Sequence, residues 1–401
     1  MDTLDKELAG SASRLETIGR LRAQLTDVLP DAETVWASNQ PTARFPFRRS
    51  PIAEAAISFR GHLAMDPREG YALLRERFAA LGYTPMLYRR DEYEVVTAIP
   101  ALFGSKQKER WWINLVLFLM TVATTMFVGT LLELNTEDAL LQLLRQPQLI
   151  VQGLPASAAI MGILGVHELA HYFAARRHGL DSSLPYFIPI PFGLVGTMGA
   201  IIRMRKPFET RNSLFDVGAA GPLAGILVAL PLFFVGLMVS PTTLPQPGVM
   251  SLGTPLLLSW MEDLVIALRG IPAGEDILLN SWAFAAWFAL FVSGLNLLPI
   301  GQLDGGHVAY AVLRERTRTL STAVLVLIGV LAVLVWQGWY VWMFFTFMSR
   351  WQHPPPLNGL APLSKGRRLL GIAIFVLMVL LFTPTPFPGF IPEWSPFFGV
   401  L

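Results

Sequence analysis

The sequence predicts a polytopic α-helical membrane protein of about six or seven transmembrane helices, with a re-entrant β-hairpin and a small N-terminal soluble α+β module. Three observations predict it. Of 401 residues, 53% are hydrophobic and only 15% charged, where soluble domains carry about 25% charged residues. The apolar residues gather downstream of Trp111 into runs of about 20, enough to cross a hydrocarbon core of about 30 Å, and no run before Trp111 is long enough to do so. Finally, one stretch inside the apolar part is filled with proline and glycine, which disfavours a helix there.

Charge and cysteine content narrow the chemistry. The 31 basic and 29 acidic residues nearly cancel, so there is no bulk basicity to attract nucleic acid. There is no cysteine. Disulfides, thiolate ligands and cysteine nucleophiles are therefore excluded, leaving His and carboxylates as ligands for a hard-to-borderline metal. The opening MDTLDKELAGSASRLETIGR lacks the apolar core of a cleaved signal peptide.

Residues 1–52 read as an N-terminal helix and a linker. Leu4, Leu8, Leu15, Ile18, Leu21, Leu25 and Leu29 are spaced for an amphipathic helix, and the prolines from Pro30 to Pro51 end it in a linker. Residues 53–108 read as a small α+β module. An alternating run lies over 53–63, a helix starts at Pro67 and stops at Gly82, and strands cover 83–88 and 93–99.

Residues 109–310 form the predicted membrane core, with spans near 111–132, 153–175, 214–239 and 282–303. Basic residues before the first span and Glu133, Glu137 and Asp138 after it put the N-terminal module in the cytoplasm. The second span contains Gly165-Val166-His167-Glu168-Leu169-Ala170-His171 and ends at Arg176 and Arg177. Four residues apart on a helix, His167 and His171 project from one face with Glu168 beside them, the H-E-x-x-H geometry of two zinc ligands and a general base. Three ionisable groups at bilayer depth demand compensation, which a metal supplies.

The hairpin is expected over 184–205, where Pro185, Pro189, Pro191, Gly193, Gly196 and Gly199 interrupt the apolar sequence. Non-helical backbone at that depth must border protein or an aqueous cavity. Its strand edge could receive an unfolded substrate by β-addition. The third span opens with the small residues Gly218 to Gly225, which suit direct packing on the metal helix. An acidic loop of about forty residues, on the outer side, precedes the fourth span. That span leads into Asn296-Leu297-Leu298-Pro299-Ile300-Gly301-Gln302-Leu303-Asp304-Gly305-Gly306-His307. Asp304 is the best-placed carboxylate for a third ligand, and Gly305-Gly306 permit close backbone approach. His178 and His307 read as interfacial histidines, and His62 has no evident partner. Residues 311–401 hold C-terminal helices and a tail, with 319–348 readable as one kinked helix or as a hairpin.

The two motifs in this order, with the proline-rich hairpin and small-residue helix start between them, resemble the site-2 protease family of intramembrane zinc metalloproteases over roughly residues 111 to 310. The resemblance implies one zinc ion per chain bound by His167, His171 and Asp304, with Glu168 activating water to hydrolyse peptide bonds within or near transmembrane segments of a membrane-protein substrate. Asn296, together with Gly196, Thr197 and Gly199 of the hairpin, are candidates for positioning that substrate. The expected setting is the cell membrane, multi-pass, with the active site nearer the cytoplasmic side. Gly301 and Gln302 stand where many relatives carry a second proline and a small or aromatic residue, a departure that removes no ligand. A metal or proton transporter would show inverted repeats and polar residues on several helices. A prenyl-protein-processing metallopeptidase would lack Asp-Gly-Gly, and a catalytically silent scaffold would have no need of Glu168.

Overall fold

A computed structural model describes residues 14–35, 56–103, 110–134, 136, 138–244, 251–348 and 353–388. The first residues of the predicted N-terminal helix, most of the proline linker, the basic flank at 106–109 and the end of the tail lie outside these. The chain divides into two compact units.

The first unit joins residues 1–107 to two distant segments, 205–214 and 353–365. Its antiparallel sheet has the order β1 (Glu33–Val35), β2 (Ile57–Gly61), β4 (Tyr93–Ile99), β3 (Thr84–Arg90). Helix α1 (Pro67–Ala79) starts with a proline, which has no N–H to lose there, behind an Asp66 side chain that accepts from the Arg68 N–H. Asp91, in the tight turn between β3 and β4, takes a positive φ of 55°. Leu21, Leu25, Val28 and Leu29 share one core with Phe59, Leu74, Phe78 and Val96. Residues 18–35 are thus built into the same body as 57–99.

The outer edge of β3 is not left bare. The Leu87 N–H donates to the Leu357 carbonyl and the Gly359 N–H to the Leu87 carbonyl, while the N–H groups of Leu357 and Asn358 donate to Phe208 and Glu209. Leu357 and Leu360 enter the core, and Asn358, 1% exposed, donates to the Pro67 carbonyl. A sheet edge exposes unpaired N–H and C=O groups; here two later passes of the chain cover it. His62 has a partner, Asp31, at 2.6 Å.

The second unit is helical. Among the described residues, Trp111–Leu134, Pro147–Arg177, Arg211–Val239 and Asp304–Leu334 are long and apolar enough to cross a membrane, and Ser281–Asn296 is a shorter apolar helix. In chain order its helices are α2 (Trp111–Leu134), α3 (Ala139–Arg145), α4 (Leu154–Arg177), α5 (Arg211–Val239, shared with the first unit), α6 (Leu256–Arg269), α7 (Ser281–Asn296), α8 (Asp304–Leu313), α9 (Thr317–Leu334), α10 (Trp339–Met348) and α11 (Lys365–Leu381). The expected fourth span stops at Asn296 rather than at 303. From Leu297 the backbone folds into a tight turn, with Ile300 donating to Leu298 and Gly301 at φ 52°. The stretch 319–348 is two helices, broken at 335–338.

A two-stranded hairpin, β5 (Tyr186–Pro189) and β6 (Thr197–Ile201), follows α4. Asn114 of α2 donates to the carbonyls of Leu184 and Pro185, at 3.0 and 2.9 Å. These bonds fix the start of β5 on that helix. Gly196 has a φ of 79°, and a Cβ there would overlap the backbone of Thr124 in α2. Only glycine serves both needs. α2 also meets α4 closely, through Gly129 against Ala156 and a hydrogen bond of 2.7 Å between Thr125 and Ser157.

Candidate metal centre

His167 and His171 lie on α4, one turn apart, and are 6% and 5% exposed. Asp304 is the first residue of α8. Its approach depends on the two glycines after it. A Cβ on Gly305 would overlap the Leu297 carbonyl, and one on Gly306 would overlap that of Gly301. The start of α8 therefore lies flat against the turn that ends α7, as the Asp-Gly-Gly pattern suggested.

The donor atoms converge. The two Nε2 atoms are 3.1 Å apart, and Asp304 brings Oδ2 to 3.3 Å from His167 Nε2 and Oδ1 to 3.3 Å from His171 Nε2. In a tetrahedral zinc site with bonds of about 2.0 Å, neighbouring ligand atoms stand about 3.3 Å apart. The two nitrogens have about that spacing, and the Asp304 carboxylate faces both of them, one oxygen toward each, with all the donor atoms within 4.8 Å of one another. The tautomer agrees. His171 Nδ1 donates to the Val217 carbonyl at 2.7 Å, and a carbonyl only accepts, so Nε2 is left with a lone pair toward the common point. His and carboxylate donors of this kind suit zinc.

Glu168 is 5% exposed and, among the described residues, has no hydrogen-bond partner. α5 closes the other side. A Cβ on Gly225 would stand 3.2 Å from His167 Nδ1, one on Gly218 would stand 2.6 Å from His307 Cβ, and one on Gly221 would overlap the His171 ring. The small-residue stretch thus forms a seat for the ligand rings. His178 is paired: its Nε2 lies 2.7 Å from Asp216, which also accepts two hydrogen bonds of 2.6 Å from Arg367. His307 backs onto α5 at Gly218. Neither role was read from the sequence, because both partners lie on a helix far away in the chain.

The remaining candidates stand outside the donor trio. Asn296 is the last residue of α7 and half-buried. Thr197 begins β6 beside Gly196, and its hydroxyl donates to the Ile188 carbonyl while accepting from the Gly199 N–H.

Two buried His donors and a half-buried Asp, on apolar helices of membrane-crossing length and with a carboxylate next to the first His, make a group able to hold a metal ion, the donor class of a membrane metallopeptidase. Residues 155–336, which contain all of these groups, match the model of peptidase family M50. The relatives agree. A protein named probable zinc metalloprotease EGY2, chloroplastic, from Arabidopsis thaliana is 28% identical over 83% of this chain, which spans 61% of that protein. Its namesake from Oryza sativa subsp. indica is 26% identical over 95% of this chain and 70% of its own length. Probable zinc metalloprotease EGY1, chloroplastic, from Arabidopsis thaliana is 28% identical over 68% of this chain and 53% of its own. No solved structure matches the chain.

Proposed function

We propose that this chain is an intramembrane zinc metalloprotease that hydrolyses peptide bonds within or near the transmembrane segments of membrane proteins. The observation that carries the reading is the trio His167, His171 and Asp304, whose donor atoms lie within 4.8 Å of one another on helices of membrane-crossing length. Zinc held there supplies Lewis acidity, enough to acidify water and to polarise a peptide carbonyl. The work of the protein's own groups is positional and protolytic. Glu168 takes the proton of the attacking water and returns it to the leaving amine. Val217 holds His171 in the tautomer that ligation needs, and Gly221 and Gly225 leave room for the two rings.

In this reading the hairpin is re-entrant and β6 receives the substrate. A helical substrate has its carbonyls tied in hydrogen bonds and must unwind before attack. β5 is fixed on α2, and β6, with Met198 57% and Ile201 59% exposed, offers the unwound strand its free edge. Thr197, Gly199 and Gly196 shape that edge, and Asn296 positions the peptide at the end of α7.

The crossing count follows from the first unit. Residues 1–107, 205–214 and 353–365 form one body and so share one side of the membrane. The connections between them must cross an even number of times. α2 and α4 make the first pair. α5, α7 and α9 make three of the next four, and the fourth is the return between Leu334 and His353, where α10 is the described helix. α11 is the seventh. Arg176, Arg177, Arg203 and Arg205 flank the shared side, which makes it cytoplasmic by the positive-inside bias. The cell membrane is the setting we assign. The domains are then 1–52 and 53–108 as the cytoplasmic module, 109–310 as the catalytic core and 311–401 as the C-terminal helices and tail.

The test is zinc content and cleavage of a generic unfolded transmembrane substrate, for the wild type beside His167→Ala, Asp304→Ala and Glu168→Gln. One zinc per chain is expected, lost in the first two variants and kept in an inactive Glu168→Gln. A metal-free wild type, or normal cleavage by Glu168→Gln, overturns the reading in favour of a scaffold or transporter.

A further inference from the structure

Helix α6 lies between α5 and α7 in the chain and has 14 residues, about 21 Å against a hydrocarbon core of about 30 Å, and it carries the acidic pair Glu262-Asp263 at its middle. Its sequence, Leu256-Leu257-Leu258-Ser259-Trp260-Met261-Glu262-Asp263-Leu264-Val265-Ile266-Ala267-Leu268-Arg269, divides into three faces at about 100° per residue. Leu258 and Val265 point one way and are both 0% exposed. Ser259 and Asp263 point another way, and Asp263 is exposed. On the third face Leu256, Trp260, Leu264 and Leu268 recur every four residues, and they are 48%, 53%, 52% and 60% exposed. A helix at a water interface of a soluble domain needs two faces, one for the core and one for solvent. This one has an additional apolar face that the protein does not cover.

The position of α6 identifies its cover. The helix is fastened to the far end of a span: Arg269 donates to the Leu237 carbonyl in the last turn of α5 at 2.8 Å. The apolar surface is continuous in kind with that end of α5, where Val235, Met238 and Val239 are 50%, 36% and 60% exposed. Arg269 is the helix's only cation, and its guanidinium is engaged with that carbonyl. α6 therefore lacks the basic residues that draw interfacial helices to anionic headgroups. The matching partner is an apolar boundary under uncharged or zwitterionic headgroups.

We propose that α6 lies in the membrane interface at the C-terminal end of α5, with Leu256, Trp260, Leu264 and Leu268 sunk into the headgroup and acyl boundary, and that it sets the depth of the metal site. The helix from Gly221, which seats the His171 ring, to Val239 rises about 27 Å. With Val239 held at one boundary of a hydrocarbon core of about 30 Å, the metal plane stands close to the opposite boundary. A scissile bond near one end of a substrate helix, where unwinding breaks fewest hydrogen bonds, is the one such a site can reach. The placement of α6 in lipid stands whether or not the chain cleaves peptides.

Because the chain has no cysteine, single substitutions take a nitroxide label at one site only. Trp260→Cys and Leu264→Cys test the apolar face, and Asp263→Cys and Asp276→Cys serve as exposed polar references, all in the full chain reconstituted in zwitterionic nanodiscs. Lipid placement predicts that labels at 260 and 264 collide several-fold more with oxygen, relative to a water-soluble nickel complex, than labels at 263 and 276. Adding anionic lipid should leave that ratio unchanged. Nickel accessibility at 260 and 264 equal to the references would put the face in water and overturn the proposal. Shielding from both reagents would overturn it too, by showing that protein, such as a second copy, covers the face.

Discussion

At the scale of single residues, the site depends on atoms that are absent as much as on those present. Gly221 and Gly225 each face a ligand ring, but unequally: a Cβ on the first would overlap His171, whereas one on the second would stop 3.2 Å from His167 Nδ1. Gly221→Ala must therefore push the His171 ring off the line set by Val217, an overpacking cost of about 1–3 kcal/mol. The expected result is zinc lost from Gly221→Ala on dialysis and retained by Gly225→Ala, read by elemental analysis. Equal retention in both would mean that α5 is free to retreat. In the first unit, His62 and Asp31 form an exposed pair. The hydrogen bond to Asp31 raises His62 above its ordinary 6.5, and the His62 backbone N–H, then its ring, lower Asp31 below 3.8. The contribution of His62 to stability is present below its unfolded pKa and is lost as pH rises through the raised folded value. That of Asp31 is present above its unfolded pKa and is lost as pH falls through the lowered one. The pair is thus most favourable between about pH 4 and the ordinary His value of about 6.5, and weakens from there as pH rises through the raised His62 value. Asp31→Asn should bring the His62 midpoint down in an NMR titration, and an unchanged midpoint would exclude the pair in solution.

At the scale of elements, legibility followed the range of the forces involved. His167, Glu168 and His171 could be read because one helical turn brings them together whatever the rest of the chain does. β2, α1, β3 and β4 fell close to their expected limits because alternation, proline and glycine act within a few residues. Asp304 could be identified as a partner only by its chemistry and its place after a span. The hairpin was visible through its prolines and glycines. Its fixation was not, because Asn114 sits in an apolar helix where nothing in the sequence reveals that its amide donates to both Leu184 and Pro185. An asparagine inside a membrane-length helix must find acceptors, so its presence could have been taken as a sign that α2 carries irregular backbone. The Gly218, Gly221 and Gly225 series signalled close packing, yet which glycine faces which ring depends on the rotation of α5, which sequence spacing leaves open. The break at 335–338 was half legible: Gln337-Gly338-Trp339 interrupts the apolar run, which leaves a kink and a hairpin equally open. Gly338 lies under the Trp336 ring, a contact between neighbours that hydropathy alone cannot distinguish from a kink.

At the scale of the whole molecule, the least legible feature was the ownership of segments. Residues 205–214 and 353–365 look like loops between membrane helices, yet they complete the sheet begun by β1 to β4. No periodicity announces this, since each segment adds only two or three ladder bonds. The consequence is that 1–107 is an incomplete body. Without the later segments the β3 edge at Leu87 loses its partners, and the core loses Leu357 and Leu360, each worth about 1.5–3 kcal/mol when fully buried. Removing 1–107 should in turn leave the Gly359 N–H and the Leu357 carbonyl without their partner at Leu87. Amide hydrogen exchange measured on the full chain and on a chain lacking residues 1–107 decides the matter. Exchange at Gly359 is expected to accelerate sharply in the shortened chain, because its acceptor is the Leu87 carbonyl. Exchange at Leu357 and Asn358, whose acceptors Phe208 and Glu209 remain, should rise less, through loss of the core beneath them. Unchanged exchange at all three positions would mean that the two later segments hold one another without the module. The three passes would then no longer require one side of the membrane, and the even count of crossings that requires a return between Leu334 and His353 would fall with them.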